Sequence, residues 1–159
     1  MEHVQHHAHR HHAAGASLDR TALMATLHCL AGCAIGEVLG MVIGTALGWG
    51  NLETIGLAIA LAFVSGYLFT MIPLMRAGLA LGVATRIALA ADTASIAIME
   101  IVDNLVMLAI PGAMNAGLDS ALFWGSLAFA LAVAGVAAYP VNRWLIARGR
   151  GHALAHAHH

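Results

Sequence analysis

Lysine is absent from this 159-residue chain, and its seven basic residues are all arginines. With a formal net charge of -1 and no basic run, no face is available for wrapping a nucleic acid. Charged residues make up only 9% of the sequence, against about 25% in soluble globular domains. Two cysteines occur, four positions apart in one apolar segment, which gives no extracellular disulfide framework. A nucleotide-binding glycine loop is also missing. The first twenty residues, MEHVQHHAHRHHAAGASLDR, are polar and histidine-rich rather than signal-like. The first apolar segment is therefore expected to stay in the mature protein.

What is there is 60% hydrophobic, with mean hydropathy +0.82, so the chain reads as an integral membrane protein whose first partner is the lipid bilayer. One crossing takes about 20 apolar residues. Spans are predicted at about 22–48, 52–75, 87–111 and 120–142. Because lipid tolerates no open sheet edge, the fold class is all-α, a polytopic four-transmembrane-helix bundle. The segment 77–90, AGLALGVATRIALA, reads either as a short interfacial helix or as an early extension of the third span. Pro73 reads as a kink or an end of the second span.

Arg10 and Arg20 precede the first span, Arg76 and Arg86 lie between the second and third, and Arg143, Arg148 and Arg150 follow the fourth. Arginines collect on the cytoplasmic side, so both termini are expected there, in a multi-pass protein of the cell inner membrane. Trp49, Trp124 and Trp144 fall near span ends, as an interfacial aromatic belt requires. Residues 1–20 and 148–159 read as histidine-rich disordered tails around a transmembrane domain at 21–147. Histidines this dense bind Cu, Ni or Zn with modest affinity, and an affinity tag is the alternative reading.

The stretch HCLAGCAIGEVLGMVIG, residues 28–44, holds two interleaved rows of period four. Gly32, Gly36, Gly40, Gly44 and Gly48 form a small-residue seam that lets another helix approach closely. Beside it run Cys29, Cys33, Glu37 and Met41, a vertical row of two thiols, a carboxylate and a thioether. Such soft ligands suit Cu(I), and cysteine with histidine and carboxylate also suits Zn(II). His28 sits beside this row. Cysteine is also a common small buried hydrophobe and methionine a gap filler, which is the packing alternative. Glu37 is different, because a carboxylate inside a span costs a few kcal/mol on insertion scales and marks function by default.

The third span, ADTASIAIMEIVDNLVMLAIPG, answers the first with Asp92, Glu100 and Asp103, accompanied by Met99, Asn104 and Met107. By depth, Asp92 falls near Cys29 and Glu100 near Glu37. Buried acids at one level repel and require a cation or a proton between them. No arginine or lysine lies at that depth to neutralise them. Protonated acids hydrogen-bonded to Asn104, Ser95 or Thr93 are the alternative.

These residues carry a resemblance. LHCLAGCAIGEVLGMVIGTALGW and MEIVDNLVMLAIPGAMNAGLD, and more broadly residues 22–145, resemble a family of small four-span prokaryotic membrane proteins catalogued as a domain of unknown function. The resemblance implies a membrane location and four helices, and no activity.

The expected function is movement of a transition-metal cation, copper before zinc or another divalent ion, by a protein that is not an enzyme. Its metal-site candidates are His28, Cys29, Cys33, Glu37, Met41, Asp92, Glu100, Asp103 and Met107, with Cys29, Cys33 and Asp92 as the inner site. Four spans imply a homo-oligomer for a full pathway, with the glycine seam available as its interface. The competing readings are a proton- or cation-coupled carrier or channel built on the carboxylates, and an accessory subunit of a larger membrane complex. A thiol-oxidising enzyme is disfavoured, because cysteines at i and i+4 on a straight helix have poor disulfide geometry.

Overall fold

The computed structural model describes the backbone of residues 2–148 and the side chains of residues 17–148. Four helices follow one another: α1 (Glu2–Ala46), α2 (Asn51–Arg76), α3 (Leu81–Ala109) and α4 (Ala121–Ala147), with a single 3₁₀ turn at Ala113–Asn115. Among the described residues there is no strand. All four helices are long and apolar enough to cross a membrane, α1 over Ser17–Ala46. The sides away from the bundle carry large apolar residues such as Leu27, Leu39, Leu68, Leu105 and Phe129, as a lipid-facing surface demands.

α1 packs against α2 and α4, α3 packs against α2 and α4, and α1 also touches α3 across the diagonal. The α1–α2 contact is the closest, and glycine makes it so. A Cβ added at Gly32 would lie 2.9 Å from the Gly66 Cα, one at Gly44 would lie 2.5 Å from the Thr54 hydroxyl, and Gly36 and Gly40 abut the backbone of Leu61–Ala62 and Ala58. Ser65 of α2 donates to the Gly32 carbonyl at 2.6 Å across the same seam. The seam is thus consumed inside the chain by α2. It is not free to serve the oligomer interface expected of it.

Gly48 leaves the predicted series. It lies beyond α1 with φ +68°, and a Cβ added there would meet nothing within 4 Å. There it terminates the helix: Trp49 N–H reaches the Gly44 carbonyl and Gly48 N–H the Thr45 carbonyl, the paired bonds of a left-handed glycine C-cap. Gly78, with φ +91°, ends α2 in the same way through Leu79 to Leu74 and Gly78 to Met75. Period four continues one step past the helix in sequence, but the function of the glycine changes.

The 77–90 segment resolves as an extension of the third span, since α3 starts at Leu81. α2 continues through Pro73 to Arg76, so this proline lies in the last turn. At the N-terminus the backbone of α1 begins at Glu2. Extending a helix that the first span has already nucleated costs far less than starting one, and no proline interrupts 2–46. The C-terminal tail expected at 148–159 lies, from residue 149 on, outside the described residues.

Candidate functional site

The site is built from two helices meeting across the bundle. On α1 the row of period four turns inward because the neighbouring glycine row holds α2, and Cys29, Cys33 and Glu37 are buried, with Met41 half-buried. On α3 the buried face carries Asp92, Ser95, Met99, Glu100, Asp103 and Met107. The two faces bring three acids together. Glu37 lies within hydrogen-bonding reach of both Asp103 and Glu100. Their exposures are 3% for Glu37, 4% for Glu100 and 4% for Asp103, so water does not solvate this group from outside.

Carboxylates are acceptors only, and the contact between two of them becomes a hydrogen bond when one holds a proton. As ionised groups they lack donors: Glu37 Oε2, both Glu100 oxygens and Asp103 Oδ1 have no hydrogen-bond partner. Among the described residues there is no compensating base either. The described arginines all fall toward one end of the bundle, Arg20 near the start of the apolar part of α1 (Ser17–Ala46) and Arg76, Arg86, Arg143 and Arg148 near the ends of their helices. Glu37 is nine residues from the end of α1 at Ala46, which at 1.5 Å per residue places it about 14 Å inside. That is close to the midplane of a roughly 30 Å hydrocarbon layer.

A cavity of about 390 Å³ runs from the α1–α2 and α3–α4 loops down to this centre. Glu37 and Asp103 stand at its floor, Met41 and Met107 on its walls, and Trp49 and Asn115 toward its mouth. Asn51 donates to Asn115 at 3.2 Å, tying the two loops together there. The 3₁₀ turn at Ala113–Asn115 shapes this rim. No sequence motif announces it.

The remaining candidates divide into two groups. Cys33, fully buried, lies beside Cys29 and Glu100, so the lower part of the α1 row adjoins the acid centre. Asp92 is buried nearer the start of the α3 face. Its neighbours are Thr70 of α2 and His28 of α1. His28 Nε2 lies 2.8 Å from the Phe69 carbonyl, and since a carbonyl only accepts, Nε2 carries the proton. Among the described residues, no group of three or more histidine, cysteine, aspartate or glutamate side chains is set to hold a metal ion. The histidines of the two tails lie outside the described side chains.

Thr70 escapes a reading of the sequence alone. It belongs to a buried row on α2, the small residues Ala58, Ala62, Gly66 and Thr70 followed by Leu74, with the same period of four as the glycine seam it meets. That periodicity is the signal that could find it.

A family model described as a domain of unknown function, DUF4396, matches residues 19–151. The chain belongs to this family. No curated protein and no solved structure matches it.

Proposed function

We propose that this DUF4396 protein is a proton carrier or channel, not an enzyme, in which Glu37, Glu100 and Asp103 form a proton-sharing centre halfway across the membrane. One observation carries the reading: of three adjacent, buried carboxyl groups without a basic partner among the described residues, Glu37 and Asp103 stand at the floor of a cavity that reaches one end of the bundle, with Glu100 beside them. Two unit charges about 4 Å apart repel by about 4 kcal/mol at an effective dielectric constant near 20. A proton shared within the trio lowers that repulsion and supplies a donor that the carboxylates themselves lack. Water entering the cavity delivers the proton to Glu37 or Asp103, and Glu100, behind them, receives it next.

The clustering of arginines at the other end supports an orientation with that end in the cytoplasm of an inner-membrane protein, and the cavity mouth facing outward. Infrared difference spectra recorded across a pH jump test the centre. The wild type should show a protonated-carboxyl band that Glu37→Gln and Asp103→Asn each diminish. Spectra unchanged in both variants would defeat the proposal.

A second reading, transport of a soft metal ion with copper favoured over zinc, has one observation behind it. Met41 and Met107 place two thioethers on the cavity wall above the acids, and Cys33 lies next to Glu100. Metal analysis of purified protein trimmed of its tails tests it: stoichiometric copper lost in Met107→Leu supports it, and metal-free protein that still moves protons dismisses it.

A further inference from the structure

The cavity stops at the acid trio, and between it and the arginine-bearing end the bundle is sealed by Ile96, Met99 and Cys33, which are 0%, 1% and 0% exposed. Gly66 of α2 makes the seal possible. A Cβ there would lie 2.7 Å from Ile96 Cδ1 and 4.0 Å from Cys33 Sγ, so only a residue without a side chain lets Ile96 close against α2. Past this plug the interior becomes polar again. Asp92, 8% exposed, is approached by Thr70 from α2 and His28 from α1, and its Oδ2 has no hydrogen-bond partner. Ser95, one turn further along α3 toward the plug, is 1% exposed, and its hydroxyl is likewise unpartnered.

Buried polar atoms without partners are costly. Here two of them, on successive turns of one helix face, point to a ligand that is a donor in one case and accepts or relays in the other. Asp92 lies eight residues from Glu100, about 12 Å along α3. Ser95 falls between them.

We infer that Asp92, with Thr70, His28 and Ser95 around it, is a second proton-binding station, separated from the Glu37–Glu100–Asp103 centre by the Ile96 plug. This inference rests on the proton-carrier reading and deepens it by naming where the proton goes after the central acids. The proton leaves Glu100, passes the Ser95 hydroxyl when the plug parts, and binds Asp92 Oδ2. Thr70 comes near the same carboxyl group from α2. His28, fixed by its bond to the Phe69 carbonyl, is the titratable group that faces Asp92 from α1. The structure is then the state open to the loop end and closed to the arginine end.

The test uses the full chain in lipid vesicles, with proton uptake followed by an entrapped pH-sensitive dye under a potassium diffusion potential, and infrared spectra on the same preparations. Asp92→Asn should lower proton flux by about a hundredfold, the scale of losing one positioned proton-transfer group, while the carboxyl band of the central trio persists. Asp92→Glu should recover most of the flux, which a purely structural role for Asp92 would not explain. Gly66→Leu, which displaces Ile96, should change flux without removing the central band. Native flux in Asp92→Asn, with loss of flux in Glu37→Gln, overturns the second station and leaves the central reading standing. Native flux in both variants, or a wild type that moves no protons, overturns the central reading and this inference with it. A variant whose helicity or monodispersity in detergent differs from wild type is replaced by Thr70→Val, expected to lower flux less steeply; native flux in Thr70→Val overturns the station.

Discussion

Replacing Gly40 by alanine adds one methyl group to the closest helix contact in the molecule. The new Cβ would fall within 2.9 Å of the Ala58 side chain and closer still to its backbone. Backbone cannot rotate away as a flexible side chain can, so α1 and α2 must separate. Forcing an extra methyl into a packed interior costs about 1–3 kcal/mol. Against this, alanine is favoured over glycine within a helix by up to about 1 kcal/mol. Gly56 supplies the control, since it lies in α2 with nothing within 4 Å of an added Cβ. Gly56→Ala should therefore be neutral or slightly stabilising, and since both variants share the propensity gain, Gly40→Ala should fall below it by the overpacking cost alone, about 1–3 kcal/mol. Unfolding in mixed micelles, titrated with a denaturing detergent and followed by circular dichroism, measures the difference. Equal stability of the two variants would refute the seam as an intramolecular contact. It would also remove the reason that Cys33 and Glu37 face inward.

Ser65→Ala removes the hydroxyl that donates to the Gly32 carbonyl, and should destabilise the same unfolding transition by about 1 kcal/mol, the usual scale for one interhelical hydrogen bond in a membrane. Asn142→Leu leaves the buried Thr26 hydroxyl without the 2.8 Å bond from the Asn142 side-chain amide and should cost about 1–2 kcal/mol; a more stable variant would contradict the pairing of α1 with α4. A cysteine placed at Asn115, at the cavity mouth, should react with a membrane-impermeant thiol reagent added outside intact cells, whereas one at Arg148 should react only after lysis; the reverse pattern would invert the orientation.

The spans are legible in the sequence because crossing lipid demands about 20 apolar residues, and few sequences of this length meet that demand four times by accident. The acids are legible for the same reason in reverse: Glu37, Glu100 and Asp103 stand out because lipid penalises them. Their grouping is partly legible, since counting depth places Glu100 level with Glu37. Depth along an axis says nothing about rotation around it, however, so it does not reveal that Thr70 and His28 come near Asp92. The cavity is not legible at all. It depends on how far the α1–α2 and α3–α4 loops stand apart and on the turn at Ala113–Asn115, and no periodicity encodes either. Gly48 shows the same limit on a small scale, because a glycine that continues a seam and one that caps a helix look alike in a row of period four.

Proton flux into vesicles containing the full chain, compared between wild type and Glu37→Gln under the same imposed potential, tests the central claim most directly. The buried trio of carboxyl groups predicts measurable proton entry in the wild type and a loss of about a hundredfold or more in the variant, where an isosteric amide can no longer take up the proton. Wild-type vesicles no more permeable to protons than empty ones, or a Glu37→Gln protein that conducts at the wild-type rate, would contradict it.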